Sequence, residues 1–329
     1  MSASEKFQSL FVAAAALVGL CAGLVLPVGG VAGHLVLPAL MLMLAAVFVQ
    51  VDAGQVRRAR SAVPVVAASL VINFAFTPLL AWALGAGLLG GSPDLRIGLL
   101  LLLVTPCTDW YLVFTGLARG HMGVATALLP VNLVLQLVLL PVHVLLLGGE
   151  AAMVDAGTLV EAVLVVLVVP LAAAVLVRET ARRRKGARWR DEAVVARASA
   201  MVLPLLYLAV LAMFASQART VAGHAGALVH LLPPLAVFFT VLPVVAALTS
   251  RVLRLPADQR AALAMTTVAR NSPVALAVAV AAFPDRPLIA VALVVGPLVE
   301  LPVLALLGRL FRVRDRVPAD PGVREGESG

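Results

Sequence analysis

Val104-Thr105-Pro106-Cys107-Thr108-Asp109-Trp110 interrupts an apolar run that extends over residues 97–118. A run of that length crosses a bilayer, because roughly 20 apolar residues span the hydrocarbon core. Its centre nevertheless carries a proline, a thiol, hydroxyls and a carboxylate. Pro106 removes a backbone donor and crowds the preceding turn, so the helix is expected to break or kink there. Broken backbone at membrane depth is tolerated only where it faces protein or a wet cavity. Asp109 at the bilayer centre costs on the order of 2.5–3.5 kcal/mol on insertion scales unless it is paired or hydrated, which makes an intramembrane carboxylate a functional candidate. The stretch reads as a place where a solute passes.

Outward from it, the whole chain has the same character. Of 329 residues, 62% are hydrophobic and 13% charged, and the mean hydropathy is +1.06. Soluble domains are about 45–50% apolar and about 25% charged, so the chain reads as an all-α polytopic membrane protein. Its formal charge of +8 does not point to nucleic acid. The arginines cluster in short connections between apolar runs, which is the positive-inside pattern of membrane topology. Cys21 and Cys107 both fall inside expected spans, so no disulfide framework is expected. Cys21, without polar neighbours, reads as a small buried hydrophobe. A cleavable leader is not expected, since the first run is too long for one and a single basic residue, Lys6, precedes it.

Runs of spanning length occur at residues 7–26, 33–51, 62–84, 97–118, 122–147, 157–177, 198–216, 226–250, 259–283 and 287–311. About ten helices are expected. The even connections are basic: Arg57, Arg58 and Arg60; Arg119; Arg178 through Arg197; Arg251 and Arg254. The odd ones hold little positive charge, and the fifth, around Glu150 and Asp155, holds none. Both termini are therefore expected in the cytoplasm of a cell-membrane protein. Residues 312–329 read as a polar, disordered tail.

Five spans reverse the orientation of the next five, which invites comparison of residues 1–149 with residues 150–311 as inverted repeats. Aligned without a gap, Asp94 falls on Asp258, Arg96 on Arg260, Cys107 on Asn271, Thr108 on Ser272 and Gln136 on Glu300. The ninth run has its own interruption, Ala269-Arg270-Asn271-Ser272-Pro273. Two interrupted spans at corresponding places in inverted halves mark a transporter's substrate site.

Six of the polar residues in these spans are candidates for carrying substrate or ion, and a seventh for gating. Cys107 is either a small buried hydrophobe or a soft ligand for a metalloid. Asp109 and Arg270 form either a structural ion pair or a functional one. Because arginine does not deprotonate, a proton in that pair belongs to Asp109, with Arg270 releasing it or binding an anion. Glu300, in Gly296-Pro297-Leu298-Val299-Glu300-Leu301-Pro302, is a hydrogen-bonded partner of freed backbone or a proton or ion site. Thr108, Asn271 and Ser272, at the breaks, are expected to line the site. Asn73, Asn132 and Gln136 read as hydrogen-bonding glue between helices. The run Arg182-Arg183-Arg184-Lys185 reads as a topogenic cytoplasmic connection. The five histidines have no metal-ligand spacing, no phosphate-cradling loop is present, and no hydrolase constellation appears. No cofactor, metal or enzymatic activity is expected.

Thr105-Pro106-Cys107-Thr108, Ala269-Arg270-Asn271-Ser272 and Val295-Gly296-Pro297-Leu298-Val299-Glu300-Leu301-Pro302 resemble the arsenite efflux permeases of the bile acid/sodium symporter superfamily. The resemblance covers about residues 7 to 311. It implies ten helices in two inverted five-helix repeats, with broken fourth and ninth helices that cross, and an essential thiol at Cys107. It departs in the ninth helix, where the arsenite carriers have Asn-Asn-aromatic-Glu and this chain reads Asn271-Ser272-Pro273-Val274. The resemblance implies arsenite or antimonite efflux by exchange with protons, Asp109 or Glu300 carrying the proton. Sodium- or proton-coupled transport of a small organic anion, with Arg270 as its partner, is the alternative. A membrane sensor or scaffold using the sixth connection and the tail is a third reading.

Overall fold

The protein is described by a computed structural model over residues 3–50, 63–108, 110–149, 156–223 and 225–314. It is helical nearly throughout: α1 (Ala3–Val25), α2 (Gly29–Gln50), α3 (Val63–Val71), α4 (Thr77–Leu88), α5 (Pro93–Val104), α6 (Trp110–Leu117), α7 (Met122–Leu147), α8 (Ala156–Trp189), α9 (Ala196–Ser216), α10 (Ala218–Gly223), α11 (Ala225–Val229), α12 (Leu232–Val252), α13 (Ala257–Val268), α14 (Ser272–Ala282) and α15 (Pro287–Arg314). Among the described residues, six helical stretches are long and apolar enough to cross a membrane. They are Gly29–Gln50, Val63–Leu88, Met122–Leu147, Ala156–Ser216, Leu232–Val252 and Pro287–Arg312. Shorter apolar helices are Ala14–Val25 and Ser272–Ala282. Leu146, Leu176 and Val252 stand exposed on the outer surface, as side chains bathed in lipid would.

Two features depart from the sequence expectation. The sixth connection is helix rather than loop. α8 runs past its apolar part, bends at Gly186 (φ 87°) and continues through a π-helical turn, Arg190–Val195, into α9. Arg182 and Arg183 bond Glu179, and Arg188 bonds Glu192, at the three- and four-residue spacings that support a helix surface. Arg182 and Arg183 pull the Glu179 carboxyl down to about 2. Cys21, expected inside, is exposed on α1. The second and fifth connections, and the tail from residue 315, lie outside the described residues.

α1, α2, α8 and α9 pack on one another, α2 most extensively on α9. Close approach of α1 to α9 depends on Gly19 and Gly23. A Cβ there would stand 2.3 Å from Leu211 O and 2.2 Å from Ala215 O, a small-residue contact of the kind that brings membrane helices together. A second group is built on α5 and α13: α4 and α15 lie on α5, and α12 and α6 on α13. α14 joins the groups, touching α2 and α8 on one side and α15 on the other. Every residue in 97–108 and in 261–279 is buried. A helix apolar on all sides belongs at such a centre, and the two interrupted segments occupy it.

Candidate functional site

α5 stops at Val104 and α13 at Val268, each followed by extended backbone at Thr105 (φ −101°, ψ 97°) and Ala269 (φ −71°, ψ 137°). The extended pieces meet. Pro106 and Arg270 form an antiparallel bridge, with Cys107 N donating to Ala269 O at 3.1 Å and Asn271 N to Thr105 O at 2.8 Å. The two breaks thereby satisfy one another's backbone groups, which lipid would leave unpaired. Thr105 Oγ1 donates back to Leu101 O at 2.8 Å, closing the end of α5. Asn271 caps α14, its Oδ1 accepting from Val274 N at 3.1 Å, while its Nδ2 donates to Thr108 Oγ1 at 2.9 Å.

Arg270 is 2% exposed. Its Nη1 donates to Leu103 O at 2.9 Å and its Nη2 to Asn73 Oδ1 at 2.7 Å and to Thr267 O. Nε reaches Val268 O at 3.4 Å, and the guanidinium carbon lies 5.4 Å from the centre of the Phe238 ring. The backbone N–H of Arg270 donates to Glu300 Oε1 at 2.9 Å. Asn73 sits in a π-helical turn, Ile72–Phe76, between α3 and α4. Such turns free backbone groups and recur at functional sites. Asn73 Nδ2 donates to Thr266 O at 3.1 Å, and His143 Nε2 lies 3.2 Å from Phe74 O.

Beside this crossing lies a cleft of about 530 Å³. Leu206 and Val210 of α9 form one wall. The facing wall carries Arg270, Ser272, Leu276, Val294 and Glu300. It is apolar apart from Arg270, Ser272 and Glu300, and the buried Ser272 Oγ has no hydrogen-bond partner among the described residues. Ligand sites commonly combine an apolar lining with a few converging polar groups.

Residues 37–224 match the Sodium Bile acid symporter family, which is more than half of the chain. The chain belongs to the Sodium Bile acid symporter family. It is therefore an integral membrane transporter. It is 27% identical over 246 residues to the Arsenical-resistance protein Acr3 of Corynebacterium glutamicum, covering 72% of this chain and 66% of that protein. With the Uncharacterized transporter slr0944 of Synechocystis it shares 26% over 334 residues, 92% of this chain and 87% of that one. The Arsenical-resistance protein Acr3 of Alkaliphilus metalliredigens is 25% identical over 218 residues, 66% and 61% of the two chains. The chain thus spans less than two thirds of either arsenical-resistance relative.

Of the residues singled out in sequence, this symporter-family structure gathers Cys107, Thr108, Arg270, Asn271, Ser272 and Glu300 around one crossing. Asp109 lies outside the described residues. Arg270, expected opposite Asp109, has its guanidinium directed at backbone oxygens and Asn73. Cys107 is 1% exposed and is absent from the cleft wall. Asn132 and Gln136, read as glue between helices, are buried on α7 with no side-chain hydrogen-bond partner among the described residues. Sequence reasoning missed Phe238, Leu206 and Val210. Apolar residues in a largely apolar chain carry no signal of the partner they face.

Proposed function

We propose that the chain is a ten-span secondary carrier of two inverted five-helix halves that exports arsenite or antimonite across the cell membrane in exchange for protons. The observation that carries this reading is the cleft beside the crossing, apolar except at Arg270, Ser272 and Glu300. Trivalent arsenic in neutral water is an uncharged trihydroxide. Such a cargo enters an apolar cleft at lower desolvation cost than an anion, and the unpaired Ser272 hydroxyl offers it a hydrogen bond. The names of two similar proteins point the same way. For the repeat, the support is that α5 and α13 are 12 residues each. Their ends coincide in the gapless alignment that pairs Cys107 with Asn271.

In this mechanism Glu300 carries the proton. It lines the cleft, so proton and cargo compete for one space, as exchange requires. Asp109 is the second candidate for that role. Cys107, buried at the crossing, makes a transient soft contact when the carrier opens the broken helices to the cargo. Thr108 and Asn271 hold the crossing in register. Both termini stand in the cytoplasm.

The test is arsenite uptake into everted membrane vesicles under an imposed proton gradient. Wild-type protein accumulates arsenite and Cys107→Ala does not, although it reaches the membrane in equal amount. Normal export by Cys107→Ala removes the thiol from the mechanism, and no uptake of arsenite or antimonite by the wild type removes the reading itself. A second reading, sodium- or proton-coupled transport of a small organic anion, is favoured by Arg270 standing in the cleft wall. It requires Arg270→Ala to abolish uptake of the anion while Cys107→Ser leaves it intact.

A further inference from the structure

α5 and α13 both end at the crossing, so the negative ends of two helix dipoles converge there. The last carbonyls of a helix have no partner within it, and in membrane carriers such half-helix ends coordinate sodium. Here the oxygens at that place are Leu103 O, Thr267 O, Val268 O and Asn73 Oδ1, and all four accept from the Arg270 guanidinium. The group is buried, and the ring of Phe238 faces it, as aromatic faces do for cations. Glu300 stands beside it, its Oε1 accepting from the Arg270 backbone N–H at 2.9 Å.

We propose that the Arg270 guanidinium is a tethered cation that occupies an oxygen-lined cation site at the junction of the two half-helices, so that this carrier needs no free sodium. The side chain supplies the positive charge and the donors that a bound ion would supply, and it cannot leave. An always-charged guanidinium with five donors also fixes the angle between α5 and α13, since its Nη1 binds one and its Nη2 and Nε the other. Removing it exposes four oxygens that accept a diffusible cation in its place. The inference rests on the carrier reading for its meaning in transport, but its test reads ion binding and stability alone.

Purified full-length protein in detergent is unfolded thermally in sodium, guanidinium and choline chlorides at matched millimolar concentration, well below denaturing levels. The wild-type midpoint is the same in all three. Arg270→Ala unfolds about 5–10 °C lower, and guanidinium or sodium, but not choline, restores part of the loss saturably, as ligand linkage demands. A sodium-dependent rise in the wild type overturns the proposal, as does an Arg270→Ala protein that responds to neither cation. Should Arg270→Ala fail to fold, Arg270→Lys and Arg270→Gln decide. Lysine keeps the charge and is expected to hold a midpoint well above that of glutamine and to ignore sodium. Equal loss in both overturns the proposal. Because no cargo is present, a negative result leaves the arsenite reading intact. Failure of arsenite uptake in vesicles leaves the cation site intact.

Discussion

Asn271 donates its N–H to Thr105 O, accepts at Oδ1 from Val274 N and donates its Nδ2 to Thr108 Oγ1. Alanine there keeps the first and loses the others. An N-cap is worth about 1 kcal/mol and a lost buried partner a further 1–3 kcal/mol or so. Asn271→Ala is therefore expected to lower the thermal midpoint by several degrees, and Asn271→Ser, which can still cap α14, by less; scanning both variants in detergent checks this. Glu300→Gln is a gentler change. Its amide oxygen still accepts from Arg270 N, so the fold should be retained while the titrating carboxyl is gone. Arsenite uptake by this variant is expected to lose its response to an imposed pH gradient. A response equal to wild type would place the proton on another residue.

The helices differ in how they tolerate added volume. At Gly296 of α15, a Cβ would lie 2.7 Å from Leu102 Cδ1 and 3.1 Å from Ser272 Oγ. Leu102 presents only the end of a side chain, which swings aside, so Gly296→Ala should cost little stability. It should still move Ser272 and raise the concentration of arsenite needed for half-maximal uptake. At Gly23 the obstacle is the backbone oxygen of Ala215, which moves only if α1 lifts from α9. Gly23→Ala is therefore expected to destabilise by about 1–3 kcal/mol, more than Gly296→Ala. Parallel unfolding curves of the two variants rank them.

Across the whole molecule, a second cleft of about 450 Å³ lies along the same seam as the first. It is lined by Met213 of α9, Gln217 just past its end, Val280 of α14 and Ala290 of α15. Along α9 the lining passes from Leu206 and Val210 to Met213; along α14 it passes from Leu276 to Val280. A solute moving along the seam requires the layer of α1, α2, α8 and α9 to shift against α14 and α15. Cysteines at Val210 and Leu276, joined by a bifunctional thiol reagent with a cleavable disulfide, should arrest uptake, and reductant should restore it. Undiminished uptake by the cross-linked protein would mean that the layers do not move.

Hydropathy and local chemistry determined much of this by themselves. The membrane class, the breaks at Pro106 and before Pro273, and the cluster of polar candidates around both breaks are legible, because spanning length and proline's missing donor are properties of a residue and its neighbours. The helical sixth connection was not legible as helix: its charged residues read equally as a solvated loop until the pairs to Glu179 are seen. Only the tertiary structure decided what Arg270 does. The guanidinium bonds the carbonyl of Leu103, 167 residues away, together with Thr267 O, Val268 O and Asn73 Oδ1. Every residue has a carbonyl, so composition cannot mark the ones that a crossing leaves unpaired. Their need for a donor arises only where two helices end against each other in a medium without water.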